Sequence, residues 1–168
     1  MKIKNLYHLP KKEKRMLIKE FISETNKNKM IADMLKYHKV QNVKIKLKSM
    51  KDYAHYDVDR GELQLSTKYS RIKNNQIKEF LITILHEIYH AMDAKRYGWK
   101  KFKDMYEYEM NLQISLGKDE YKDNKYEIEA EDFGQSNYRK WYQKFKKDEL
   151  FKKKAKKTLT VNPECCNV

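Results

Sequence analysis

Cysteine is scarce in this sequence of 168 residues, and long apolar runs are absent from it. The two cysteines, Cys165 and Cys166, are adjacent and cannot connect distant elements, so we expect free thiols rather than a disulfide framework. No stretch approaches the roughly 18 apolar residues of a membrane-spanning helix. The first residues also lack the apolar stretch and the cleavage site of a signal peptide. We therefore expect a cytoplasmic protein that has no membrane partner.

Basic residues outnumber acidic ones, with 38 lysines and arginines against 24 aspartates and glutamates, which gives a net charge of +14. Most lysines are spread along the chain among glutamates, and this balance favours a loose attraction to acidic partners. Only Lys144–Lys157 is a dense basic run, and it predicts a weak, non-specific contact with nucleic acid. The length suits one domain, expected over residues 1–150 and followed by a flexible basic tail over residues 151–168.

The first half of the chain predicts two helices followed by a small sheet. Apolar positions at helical spacing indicate helices over Lys11–Glu24 and Lys29–Tyr37, which form an N-terminal helical region over residues 1–38. A turn at Asp59–Gly61 separates the last two of three predicted strands, so we expect an antiparallel meander whose third strand lies at the edge. The strands, of which the first is expected to be half-buried, are Gln41–Lys48, Tyr53–Val58 and Glu62–Thr67.

The second half of the chain predicts three helices. Gly98 and Gly117 are expected to close the first two helices, and Asp123 or Asn124 to cap the third. The expected ranges are Asn74–Tyr97, with Asn74 or Asn75 as its cap, Trp99–Leu116 and a third helix that ends near Lys146. Helices, a small antiparallel sheet and then further helices define the α+β class.

The helix predicted over Asn74–Tyr97 contains an HExxH motif at residues 86–90. Because residues four apart lie one turn apart on a helix, His86 and His90 project side by side. That separation suits two imidazoles that bind one tetrahedral zinc ion at about 2.0–2.1 Å. Glu87 lies beside them and is the candidate catalytic base, which would accept a proton from water.

The rest of this helix favours a metal site over a chance match to the motif. One side is an apolar stripe that contains Leu81, Ile84, Leu85, Ile88 and Met92. The two histidines lie roughly opposite this stripe, together with Thr83, Asp93 and Tyr97. Asp93 follows His90 by about one turn and could contact the metal or a histidine, and pairing with Arg96 or Lys95 is the alternative.

Two histidines leave a catalytic zinc site without a third protein ligand. No histidine follows His90, so the third ligand is a carboxylate, a cysteine or an upstream residue such as His55. The best candidate lies within residues 126–134, on a predicted helix whose small residues would allow close approach to the histidine helix. One face of that helix carries Glu127, Glu131, Gly134 and Tyr138, with Ala130 at its edge.

An HExxH motif that is followed, after an intervening helix, by a glutamate motif resembles the arrangement of the gluzincin metallopeptidases. The chain is similar to the compact ImmA/IrrE-like metallopeptidases, with their E-x-E-A-x-x-F pattern, and to metallopeptidases of phages. Residues that match this pattern are Glu127, Glu129, Ala130 and Phe133. The resemblance covers about residues 41–143 and departs from these families at Glu131, where they usually have Asp or Asn.

The resemblance implies a zinc-dependent metallopeptidase, encoded by a phage or mobile element, that hydrolyses protein or peptide substrates. It implies a minimal zincin-like fold with Glu127 as the third zinc ligand and Glu131 as the partner that orients a ligating histidine. The strand Glu62–Thr67 would bind an extended peptide by strand addition. Candidate donors to the oxyanion are Tyr97, Tyr126, Tyr138 and His55.

Two other functions are compatible with the same residues. A zincin-fold binding protein would keep the metal without turnover, and a Glu87→Gln substitution would leave its binding unchanged. A basic nucleic-acid-binding protein would use Lys144–Lys157, and its binding would depend steeply on salt and be lost with that segment.

Overall fold

A computed structural model describes residues 24–68 and 72–159, with side chains over residues 27–68 and 72–147. These residues form an α+β fold of four α-helices and one three-stranded sheet. The helix predicted over Lys11–Glu24 lies outside the described residues apart from its last position, and Cys165 and Cys166 lie outside them too. Within the described ranges, no helix combines the length and the apolar character needed to cross a membrane.

The described elements follow the predicted order of helix, strands and helices. The strands are β1 (Lys44–Lys48), β2 (Ala54–Asp57) and β3 (Glu62–Ser66). The helices are α1 (Glu24–Tyr37), α2 (Ile77–Tyr97), α3 (Trp99–Ser115) and α4 (Lys125–Leu159). Helix α1 begins before the predicted Lys29, and α4 continues past the predicted end near Lys146. The flexibility expected for residues 151–168 and the nucleic-acid contact of Lys144–Lys157 stay predictions.

The sheet has the order β1-β3-β2, with β1 parallel and β2 antiparallel to β3. The prediction of an antiparallel meander with the third strand at the edge is therefore wrong. Strand β3 lies in the centre, and all five of its residues are buried. Its polar side chains have partners on both sides: Glu62 pairs with Lys46 at 2.9 Å, and Gln64 donates to Asp57 at 2.7 Å.

A central β3 cannot accept a peptide by strand addition, because both of its neighbours already occupy its backbone groups. The role expected for Glu62–Thr67 is thus excluded. The burial expected for the first strand is also wrong, since Ile45 and Leu47 are exposed on β1. Alternation of residue type indicates a strand, but it does not indicate which strand lies beside it or what covers its apolar face.

Helix α2 lies in the middle of the fold and is buried on nearly all sides, in contact with β2, α3 and α4. The predicted apolar stripe forms its core side, where Leu81, Ile84, Leu85 and Ile88 are fully buried. Gly98, with a φ of 83°, ends α2 as predicted. The predicted asparagine cap is wrong: a short 3-10 helix covers Asn74–Gln76, and Gln76 instead accepts a hydrogen bond from the backbone N–H of Lys73.

Candidate metal centre

The two histidines of the HExxH motif lie on one side of α2, in the buried interior. Their rings meet edge to face with centroids 4.8 Å apart, and the two Nε2 atoms are 3.1 Å apart. Helical spacing alone brings His86 and His90 this close, because four residues complete slightly more than one turn. Both Nε2 atoms therefore point at the same small volume beside α2.

Glu127 reaches that volume from the first turn of α4. Its Oε2 lies 3.0 Å from Nε2 of His86, and its Oε1 lies 3.3 Å from Nε2 of His90. Asn124 fixes the start of this turn, as predicted, because its side-chain oxygen accepts a hydrogen bond from the N–H of Tyr126 at 3.0 Å. The carboxylate is buried, like both imidazoles.

Small residues let α4 approach α2 closely, as the sequence predicts. Ala130 is fully buried one turn beyond Glu127. A Cβ atom added at Gly134 would lie only 2.9 Å from the carbonyl oxygen of Ile82, which belongs to the backbone of α2. The absence of a side chain at Gly134 thus sets the short distance between the helices that carry the histidines and the glutamate.

The three donors fit a metal ion. In a tetrahedral zinc site with bonds of about 2.0–2.1 Å, neighbouring ligand atoms are about 3.3–3.4 Å apart. The two Nε2 atoms are 3.1 Å apart, and Oε2 of Glu127 lies 3.0 Å from Nε2 of His86, both close to an edge of such a tetrahedron. The other oxygen of Glu127, Oε1, lies 3.3 Å from Nε2 of His90. One ligand atom from each residue lies within 4.8 Å of the others. This buried group could hold a metal ion and leave a fourth position free.

The charges of the group are strongly coupled. Burial raises the pKa of the Glu127 carboxyl, but hydrogen bonds from His86 and His90 lower it more, so this pKa lies well below its usual range. Burial lowers the pKa of His86, but the hydrogen bond to Glu127 and the nearby carboxylates raise it above its ordinary value. An ionised carboxylate beside two imidazoles is an arrangement that attracts either a proton or a cation.

Glu87 lies next to this group without belonging to it. Its side chain is buried, and its Oε2 accepts a hydrogen bond from the backbone N–H of Tyr56 in β2 at 2.6 Å. This contact crosses from the sheet to α2 and fixes the carboxylate at the wall of the cleft beside His86 and His90. The structure therefore holds the candidate base at the position where the sequence predicts it.

The three other predicted site residues differ in their positions. Glu131 lies at the centre, with its Oε2 3.7 Å from Nδ1 of His86. Asp93 is buried and pairs with Arg96 at 3.0 Å, which is the alternative that the sequence left open. Tyr138 lies away from the centre: its hydroxyl contacts Arg139, and the ammonium of Lys78 lies over its ring. A shared helix face brought Tyr138 into the prediction, but it lies about three turns beyond Glu127 and so beyond the histidines.

Two tyrosines that are not among the predicted site residues lie close to Glu127. Tyr106 in α3 donates a hydrogen bond from its hydroxyl to Oε1 of Glu127 at 2.6 Å. Tyr121, in the α3–α4 loop, lines both grooves together with Glu127, and much of its side chain is exposed. Burial and the neighbouring Glu127 carboxylate raise the pKa of both phenols well above its ordinary value, so both remain donors. A helical spacing from the buried Phe102 could have indicated Tyr106, whereas no periodic signal marks Tyr121.

The predicted oxyanion donors are distributed differently. His55 on β2 borders the cleft in front of the centre. Tyr126 is buried behind Tyr106, with the two rings stacked 6.1 Å apart, and Tyr97 is exposed at the end of α2. Of the four candidates, only His55 lines the cleft beside the metal-binding group.

Two grooves open from the candidate centre, one on each side of it. The first groove encloses about 270 Å³ between β2 and α3, and the second about 730 Å³ between the β1–β2 loop, α2 and α4. His86, Glu87 and Glu127 line both grooves and form their common wall. His55 and Tyr121 also line both grooves, beside this wall. A chain bound across both grooves would pass directly over the three donors.

Comparison with known proteins gives no match, whether the chain is set against models of protein families, against curated proteins or against solved structures.

Proposed function

We propose that the protein is a zinc-dependent metallopeptidase of the gluzincin type, with a zincin-like arrangement of helix and sheet. One observation carries this proposal: His86, His90 and Glu127 converge within a buried group, at the wall of an open cleft that also contains the carboxylate of Glu87. A purely structural metal site would be closed by a fourth protein ligand, whereas a catalytic site keeps one position open to the substrate. The cleft supports the second kind of site.

Different residues of the site would have different roles in peptide hydrolysis. His86, His90 and Glu127 would hold the zinc ion, which when bound supplies a Lewis acid and lowers the pKa of water to about 7. One oxygen of Glu87 is fixed by the N–H of Tyr56, which leaves the other to accept a proton from water and pass it to the leaving amine. Tyr121 and His55 flank the cleft and are candidate donors to the developing oxyanion.

Glu131 is the residue that would orient His86. Its carboxylate faces Nδ1 of His86, the ring nitrogen opposite the one that faces Glu127. The separation of 3.7 Å is longer than a hydrogen bond, and a hydrogen bond formed there on metal binding would fix the tautomer that leaves Nε2 free to bind a cation. This position supports the role that the resemblance implies for Glu131, although glutamate is one methylene longer than the Asp or Asn that those families usually have there.

Metal content tests the ligand set. Elemental analysis of the purified protein is expected to give one zinc ion per chain, and Glu127→Ala is expected to lose most of it. Glu129→Gln is the matched control, since Glu129 lies on the same helix but is exposed and bonds to Tyr89. Unchanged zinc content in Glu127→Ala would remove this residue from the ligand set.

Turnover tests the enzyme against the inactive binding protein. With a quenched fluorescent peptide library, Glu87→Gln is expected to lose hydrolysis by a factor of about 10² or more while keeping its zinc. Equal activity of wild type and Glu87→Gln would mean that the hydrolysis comes from a contaminant. A zinc-loaded wild type that cleaves no peptide of the library would refute the peptidase assignment.

A further inference from the structure

The two grooves beside the candidate centre have an acidic lining, although the protein as a whole has a net charge of +14. Apart from Glu87 and Glu127, acidic residues at the grooves outnumber lysines by six to two. The acids are Asp57, Asp59 and Glu107 in the first groove and Asp52, Glu131 and Asp132 in the second, and the lysines are Lys103 and Lys122. The cleft is therefore opposite in charge to the average surface.

The two lysines offset this lining unequally, because Lys103 pairs with acids that line the first groove, whereas Lys122 pairs with an acid outside both grooves. Lys103 contacts Asp59 at 2.5 Å and Glu107 at 3.5 Å. Lys122 pairs with Asp119 at 3.6 Å. These ion pairs leave the second groove the more acidic of the two.

Asp52, in the β1–β2 loop, and Asp132, in α4, both line this second groove. Both are exposed, and neither forms an ion pair with a lysine or arginine within the described ranges. Glu131 adds a third carboxylate that bonds to Gln135 and faces His86. Three carboxylates in one groove raise the local concentration of cations by focusing the field between low-dielectric walls.

A second observation, independent of these acids, connects the second groove to the candidate metal centre. The grooves share the wall formed by the buried metal-binding group, and Glu87 lies in that wall. A chain that extends past the three donors on both sides of the centre therefore occupies the acidic second groove as well as the first. Acids on an isolated patch of surface would not have this consequence.

We infer that the cleft selects peptides that carry lysine or arginine beside the bond to be cleaved, with Asp52 and Asp132 as the residues that determine this specificity. The inference rests on the proposed peptidase function and names its substrate class. It runs against the net charge of the protein, which by itself favours acidic peptides. A preference for cationic peptides can therefore come only from the local charge of the cleft.

Binding is measured with zinc-loaded Glu87→Gln protein, so that the result does not depend on turnover. Three labelled peptides of equal length differ only at the two positions that flank a central apolar dipeptide, which are lysine, glutamine or glutamate. Fluorescence anisotropy is expected to give about tenfold tighter binding of the lysine peptide than of the glutamate peptide. Equal binding of the three, or tighter binding of the glutamate peptide, would overturn the inference.

Variants that change one charge test which residues cause the preference for the lysine peptide. Asp132→Asn and Asp52→Asn are each expected to weaken binding of the lysine peptide by about three- to fivefold, and Asp132→Lys to shift the preference toward the glutamate peptide. Glu129→Gln makes the same change in net charge on the same helix outside both grooves, and it is expected to leave the preference unchanged. Equal effects of Asp132→Asn and Glu129→Gln would show that net charge, not the groove, sets the preference.

Hydrolysis of the same three peptides by the wild type separates the two proposals. Cleavage without any charge preference would overturn the inference and leave the peptidase function standing. Selective binding of the lysine peptide without cleavage of any peptide would count against the peptidase function and leave only the preference of the cleft for cationic peptides.

Discussion

A methyl group added at Gly134 is expected to force α2 and α4 apart. Its Cβ would lie 2.9 Å from the carbonyl oxygen of Ile82 and 3.2 Å from Cγ2 of the same residue. A backbone oxygen in a buried helix cannot rotate away, so one helix must move. Overpacking of this kind costs about 1–3 kcal/mol, whereas the better helix propensity of alanine returns about 1 kcal/mol. We expect Gly134→Ala to lower the free energy of unfolding by about 1 kcal/mol, or the Tm by about 2–4 °C.

Thermal and urea unfolding of the metal-free protein measure this effect. Ser136→Ala is the matched control, because Ser136 is exposed two residues further along α4 and reports helix propensity alone. It is expected to stabilise the fold by a few tenths of a kcal/mol, roughly the difference in propensity between serine and alanine. If Gly134→Ala stabilises the protein as much as Ser136→Ala does, the two helices do not pack at the described distance.

The same substitution is expected to weaken zinc binding. Gly134 lies two turns beyond Glu127, and Ile82 lies one turn before His86, so a shift between these positions also separates the donors. Competition with a chelator is expected to show a lower zinc affinity for Gly134→Ala and an unchanged affinity for Ser136→Ala. An unaltered zinc affinity in a destabilised Gly134→Ala would mean that the metal-binding group does not depend on this packing.

Three further outcomes follow from the contacts of Glu127. Tyr106→Phe removes the hydroxyl that holds Oε1 of Glu127, and it is expected to lower zinc affinity by about 10- to 100-fold in a chelator competition while the Tm of the metal-free protein changes little. Asn124→Ala removes the cap of α4 and is expected to cost about 1 kcal/mol in urea unfolding, whereas Asn124→Asp keeps most of it. Zinc at 100 times its Kd is expected to stabilise the wild type by about 2.7 kcal/mol, and no such shift of the Tm is expected for His86→Ala.

The parts of the site that the sequence predicts are those that local geometry determines. His86 and His90 meet because they are four residues apart on one helix, and no tertiary information is needed. Gly134 is similar, since a small residue on the face of Glu127 predicts close packing against another helix. The sequence identified that other helix as α2 only because two histidines leave a zinc site incomplete, so that the helix of Glu127 had to pack beside the helix of the histidines.

Contacts between segments that are far apart in the sequence could not be predicted where no local sequence pattern indicates them. Tyr106 donates to Glu127 from α3, and one tyrosine among 13 carries no sign of such a role. The central position of β3 depends on the parallel pairing of β1, which an alternating pattern does not specify. Tyr138 was predicted at the site but lies away from it. It shares a helix face with Glu127, but such a face extends over several turns and does not fix a distance along the helix axis.

Charge is the property for which composition and structure disagree most. A net charge of +14 predicts attraction to acidic partners, because composition averages over the whole surface. The fold brings together Asp52 and Asp132, which are far apart in the sequence, and it places them at one groove where acids outnumber lysines. A substrate experiences this local field within a few ångströms, since ions screen the lysines of the outer surface beyond about 8 Å at physiological salt. The partner of the cleft must therefore be inferred from the residues that line it, and this lining is the reason that we propose a cationic peptide.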